Sequence, residues 1–188
     1  MDQYAPHDNL ERSLQNGDEY LLVAELKKAK KVARRRHLSL ILKVLMTTHS
    51  PRLRNAAAIA VADLNSNDAK EALLHLLIRK DTKKSRGTLL YALDEAGASI
   101  PIDILTQVIT TSRFEAREEA VRFLEARKVV WKPQKLKESI RKLQRMTASR
   151  NIERSQVAKK ALYLTSALSR SRRAGTNRGS QTMPAKIK

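Results

Sequence analysis

Four arginines, Arg54, Arg86, Arg117 and Arg154, recur at intervals of 32, 31 and 37 residues, each at the same place in an apolar pattern. A guanidinium carries five donors in a planar fork and keeps its proton at any ordinary pH. A row of them therefore suits phosphate or carboxylate recognition rather than acid–base chemistry. Further bases stand beside them, Arg52, Lys83, Lys84, Arg113 and Arg150, next to the starts of apolar runs that read as helices. Exposed amides at helix starts also favour anions. A second cluster, Lys27 to Arg36, places seven bases in ten residues, including Lys27, Lys31, Arg34 and Arg35. It suits phosphates or an acidic protein surface, and equally a solvated helix face or a nuclear-import-like patch.

Other chemistry is hard to place. The chain has no cysteine, which removes disulfides, thiolate metal sites and cysteine nucleophiles together and fits a reducing, cytoplasmic setting. His7, His37, His49 and His75 show no metal-ligand spacing, and the sequence holds no Gly-rich phosphate loop or nucleophile elbow. The expectation is a protein that is not an enzyme and uses no cofactor, metal or small-molecule substrate. Aromatic residues make up 4% of the chain, and Tyr91, Phe114, Phe123, Tyr163 and Trp131 fall mostly at core spacing or in turns. Base stacking is therefore not expected. Trp131, ahead of Pro133, reads as a plug between the third and fourth repeats.

The charge points to a partner. The 188 residues carry a formal net charge of +19, an excess that repels itself unless something anionic relieves it. Residues 1–25 hold Asp2, Asp8, Glu11, Asp18, Glu19 and Glu25 against Arg12 alone, so −5 lies there and +24 in the remainder. One possibility is that the acidic segment folds over the basic surface and regulates access to it. There is no basic stretch leading into an apolar run at the N-terminus and no apolar window long enough to span a bilayer. Basic amphipathic helices that lie on membranes use bulky aromatic anchors, absent from the Lys135–Arg145 segment. No membrane partner is expected.

These residues must be positioned by helices. Hydrophobic content is 41%, and helix formers greatly outnumber strand formers. Asp8 with Glu11 reads as a capping box, Gly17 as a C-cap and Asp18 as an N-cap. Helices are predicted at about 9–15 and 19–35, with Leu22, Leu26, Ala29 and Ala33 facing the core. Further helices follow at about 37–48, 51–64, 67–79, 82–96, 101–111, 113–127, 133–147 and 151–168, pairing into four hairpins. The pattern Leu53, Arg54, Ala57, Ala58, Ala60, Val61, Leu64 returns as Ser85, Arg86, Leu89, Leu90, Ala92, Leu93, Ala96, and then as Ala116, Arg117, Ala120, Val121, Phe123, Leu124. Arg154, Val157, Ala158 and Ala161 form a looser copy. The preceding helices repeat in step, with Ile41 and Leu45, Leu73 and Leu77, then Ile104 and Val108.

The segment Ser50, Pro51, Leu53, Arg54, Ala57, Ala58, Ala60, Val61, Leu64 resembles the second-helix signature of HEAT repeats, well over residues 37–127 and weakly over 133–168. The resemblance implies an all-α, right-handed α-α superhelix of about four HEAT-like hairpins with an N-terminal helical cap. Second helices would line a concave face. It also implies that arginines at the Arg54 position form a ladder with an aspartate from the preceding turn. Asp81 fits that role for Arg86, whereas the matching turns offer His49 or Ser50, Ser112 and Ser149, leaving three arginines without a carboxylate. HEAT-type folds include alkylpurine DNA glycosylases and bilin-lyase-like proteins, but neither an aromatic-and-aspartate pocket nor a chromophore site maps onto this chain.

The organisation expected is a cap at 1–36, acidic then basic, a repeat solenoid at 37–168, and a disordered basic tail at 169–188 with six bases and no acid. The function expected is a cytoplasmic binding module whose cationic concave surface holds nucleic acid by its phosphate backbone without sequence choice. The alternative is an adaptor that docks an acidic protein.

Overall fold

The computed structural model describes residues 12–13, 18–29 and 31–176, with side chains described for all of these except 31–33 and 171–176. The expected helix at 9–15, the Asp8–Glu11 box, Gly17 and the tail beyond 176 lie outside the described residues. Ten helices are present among the described residues: α1 (Glu19–Lys28), α2 (Lys31–Arg36), α3 (Leu38–Thr47), α4 (Pro51–Ala62), α5 (Asn67–Ile78), α6 (Arg86–Glu95), α7 (Ile102–Thr111), α8 (Phe114–Glu125), α9 (Pro133–Thr147) and α10 (Ile152–Thr176).

From α3 onward the helices pack as consecutive pairs, α3 with α4, α5 with α6, α7 with α8 and α9 with α10. The pairs stack in order, so that α3, α5, α7 and α9 make one row and α4, α6, α8 and α10 a second. A lone pair cannot bury its apolar stripe, and each neighbour covers the next. Ala57, Ala58, Ala92, Ala120, Ala158 and Ala161 are all sealed in the core, where small side chains let the second helices approach closely. Ile41, Leu45, Leu73 and Leu77 are fully buried as the spacing predicts. In α7 the buried face is Ile102, Leu105, Val108 and Ile109, while Ile104 lies at its margin.

Local signals start several of these helices. Asp18 caps α1, accepting from Tyr20 N and Leu21 N. Ser50 Oγ accepts from Leu53 N at 3.2 Å ahead of Pro51, which occupies the first turn of α4. Ser50 Oγ also donates to Glu19 Oε1 at 2.7 Å, pinning the start of α1 beside the start of α4. With Leu22, Val23 and Leu26 buried, α1 extends the row of second helices at its N-terminal end.

Three helix boundaries and one strand pairing differ from the sequence expectation. The helix expected at 19–35 is broken at Ala29, whose extended ψ of 126° ends α1. After this break Arg34 Nη1 lies 3.1 Å from Asp63 Oδ1 and 3.4 Å from Ala60 O, at the far end of α4. The helix expected from residue 82 begins only at Arg86. Thr82 is sealed, and its hydroxyl donates to Leu76 O and to Arg79 O, satisfying carbonyls at the end of α5. The last helix runs through to Thr176, so the boundary expected at 168 falls inside α10. Finally, Ile100–Pro101 (β1) pairs in parallel with Val129–Val130 (β2). This short bridge joins the connection before α7 to the connection before α9, and nothing in the periodicity marks it. Trp131 follows directly, partly buried against the core between the third and fourth pairs.

Candidate polyanion interface

The arginine row exists, but inside the stack. Arg54, Arg86 and Arg117 are 1%, 2% and 9% exposed. Each stands at the start of a second helix, and each guanidinium reaches the end of a first helix or the next pair. Arg54 donates to Thr48 O, at the C-cap of α3, and lies 3.8 Å from Asp81. Arg86 Nη1 donates to Thr111 Oγ1 at 2.9 Å and to Ser112 Oγ at 2.8 Å, at the end of α7. Arg117 Nη1 meets Glu153 Oε1 at 2.6 Å. Arg154 Nη2 reaches back to Thr110 O at 3.0 Å, and its side chain is partly buried. Cations are favourable at helix C-termini, where carbonyls point outward.

This corrects two expectations. Asp81 does not serve Arg86; its carboxylate takes a two-point bond from Arg79 at 3.0 and 2.6 Å and faces Arg54 of the preceding pair. Of the three arginines expected to lack a carboxylate, Arg54 and Arg117 have one and Arg154 has none among the described residues, while Arg86 is spent on hydroxyls and on Arg79 O. Burial lowers the pKa of Arg86, and burial also lowers that of Arg54 against the opposing pull of Asp81. Buried groups of this kind cannot reach a phosphate backbone.

The remaining cations lie elsewhere. Arg52, Lys83, Lys84, Arg113 and Arg150 are all exposed, each in or beside the turn that joins the two helices of a pair. Stacking pairs places these four turns along one edge. Lys80, also exposed, adds to it. Arg113 is the N-cap of α8 and Arg52 sits in the first turn of α4, where a cation opposes the helix dipole. The connections between pairs lie on the opposite edge, with Asp63, Asp68, Asp94, Glu95, Asp103 and Glu125 along it. There Asp94 accepts from Lys128 and Glu125 meets Lys160, whose pKa that hydrogen bond raises. Of the Lys27–Arg36 cluster, Lys27 and Arg35 are exposed, Arg34 is committed to Asp63, and the Lys31 side chain lies outside the described residues.

Two features escape a reading of the spacing alone. Tyr20, Tyr91, Phe114 and Tyr163 are 71%, 49%, 52% and 69% exposed, whereas Phe123 is buried. Phe114 stands beside Arg113 on the basic edge, and the ring of Tyr20 lies 4.5 Å under the Arg52 guanidinium. The second is the cavity bounded by Thr110, Lys142, Arg145, Met146, Ser149 and Arg154. Its residues come from three helices and one turn, so no contiguous motif announces it.

No family model matches this chain, and no curated protein matches it. Among solved structures it is similar to two engineered proteins from the Northeast Structural Genomics Consortium. One is 18% identical over 92% of this chain and 86% of that chain, with a TM-score of 0.48. The other is 15% identical over 86% and 97%, with a TM-score of 0.36. Among the described residues no helix is long and apolar enough to cross a membrane.

Proposed function

We propose that this chain is a cytoplasmic, non-enzymatic binding module, a right-handed HEAT-like solenoid that holds a polyanion, nucleic-acid backbone without sequence choice. The observation that carries this reading is the edge formed by Arg52, Lys83, Lys84, Arg113 and Arg150. Cations held at successive helix starts repel one another and the local dipoles, and a bound row of phosphates relieves both. The exposed Phe114 and Tyr20 supply rings beside those cations, a combination suited to single strands as well as duplexes. Affinity resides at this edge and not in the buried arginine row.

The test is binding to a random-sequence duplex and to single-stranded RNA across a salt series. Wild type is compared with the combined Arg52→Ala, Lys84→Ala, Arg113→Ala, Arg150→Ala variant. Every phosphate that the variant leaves without its cation reduces the log–log salt slope by about 0.7–0.9, so the slope falls by about 3. Absence of binding at low salt, or an unchanged slope, overturns the reading in favour of an adaptor for an acidic protein, sought by pull-down.

A further inference from the structure

We infer that the cavity between the ends of α7 and α9 and the start of α10 is a discrete site for a phosphate group. Its volume is about 460 Å³, and it is bounded by Thr110, Lys142, Arg145, Met146, Ser149 and Arg154. Three of the six are cations and none is an acid. The acids nearest in sequence are already committed: Glu138 meets Lys135 at 3.7 Å and accepts from Gln134 at 3.3 Å, and Glu153 is held by Arg117 at 2.6 Å. Among the described residues Lys142, Arg145 and Arg154 have no carboxylate within 4.0 Å.

The donors are prepared for a ligand with several oxygens. Arg154 Nη2 is fixed on Thr110 O and Nη1 is uncommitted, while its Nε is enclosed like those of Arg54, Arg86 and Arg117 and takes no part. Arg145 engages its Nε alone, in a long 3.4 Å bond to Arg141 O, leaving both terminal nitrogens. Ser149 Oγ accepts from Asn151 N at 3.3 Å and keeps its own proton to donate. The Thr110 hydroxyl is spent on carbonyls of its own helix, and the buried Met146 gives an apolar wall. A single carboxylate would be satisfied by one guanidinium. A phosphate monoester, carrying close to two charges and three acceptor oxygens, matches three converging cations.

This site does not depend on the edge reading, although both are cationic. The test is a titration of the full chain with inorganic phosphate at constant ionic strength, chloride being the control, followed by amide NMR. A second arm compares a 5′-phosphorylated with a 5′-hydroxyl tetranucleotide, separating a free phosphate site from one that takes a terminal phosphate. Lys142 and Arg145 are exposed on α9 and make no ion pair, so the Lys142→Ala, Arg145→Ala variant keeps the fold. Saturable shifts centred on Ser149, Asn151 and Arg154, weakened about tenfold or more in that variant, are expected. The Arg52→Ala, Lys84→Ala, Arg113→Ala variant, which leaves the turn at Ser149 intact, should bind inorganic phosphate as wild type does. Weak shifts spread along the whole edge, or affinity unchanged by Lys142→Ala, Arg145→Ala, overturn the proposal. Absence of nucleic-acid binding by the wild-type chain, with its phosphate binding intact, would sink the edge reading alone.

Discussion

Asp81 Oδ2 lies 3.8 Å from Nη2 of Arg54, a carboxylate of the second helix pair facing a guanidinium of the first that is 1% exposed. Arg79 holds the same carboxylate at 2.6 Å and reaches Met46 O at 3.0 Å, so one acid links α3, α4 and α5. Its hydrogen bond from Arg79, with the charges of Arg79 and Arg54, keeps the Asp81 pKa below its usual range. A carboxylate depressed on folding adds stability above its unfolded pKa of about 4, and that stability is lost as pH falls through the lower folded value.

Asp81→Asn is therefore expected to destabilise the protein by about 1 kcal/mol near neutral pH, a figure kept small because the side chain is 43% exposed and screened. Urea unfolding of wild type and variant, repeated from about pH 6 down to about pH 3, should show the gap closing below about pH 4. A gap constant across that range would remove Asp81 as the source.

Arg86 is the buried guanidinium with no carboxylate partner, and its Nε is enclosed without an acceptor. Arg86→Ala leaves a cavity and strands the buried hydroxyl of Ser112, an expected loss of about 2–4 kcal/mol. Arg86→Met keeps most of the stem and removes the buried charge, so it should lose less than half as much. Denaturant midpoints measured in parallel decide this; equal losses would mean that the charge itself holds the stack.

Arg117 and Glu153 meet at 2.6 Å across the third and fourth pairs. A double-mutant cycle with Arg117→Met and Glu153→Gln should give a coupling of about 1 kcal/mol. Glu153 is 45% exposed, so added salt should shrink that coupling. Additive losses would show the ion pair to be without energetic weight.

Gly97 and Arg127 occupy matching places after α6 and α8, both left-handed, at φ of 65° and 55°. Each follows a helix closed by the same bond, Ala98 N to Leu93 O and Lys128 N to Phe123 O. A Cβ at Gly97 meets no atom within 4 Å, so Gly97→Ala should cost about 1 kcal/mol through backbone strain alone. Arg127→Gly should gain about 0.5 kcal/mol, since the glycine removes strain that arginine now carries. Thermal melts of the two single variants, shifting in opposite directions, are the check.

The repeat at intervals of 32 and 31 residues, the helix content and most buried faces were legible in the sequence, because helical periodicity is local and survives without knowledge of neighbours. Ile41, Leu45, Leu73, Leu77, Ala57 and Ala120 are buried where spacing places them. The arginine row was equally legible as a register. Which way each guanidinium turns was not, because Arg54 meets Asp81, Arg86 meets Ser112 and Arg117 meets Glu153 across the gap between pairs. Spacing along one helix reports a face, and only stacking decides whether that face meets solvent or the next repeat. The same physics exposed Phe114 and Tyr91, assembled Lys142, Arg145 and Arg154 around one cavity, and gathered Arg52, Lys84, Arg113 and Arg150 on one edge.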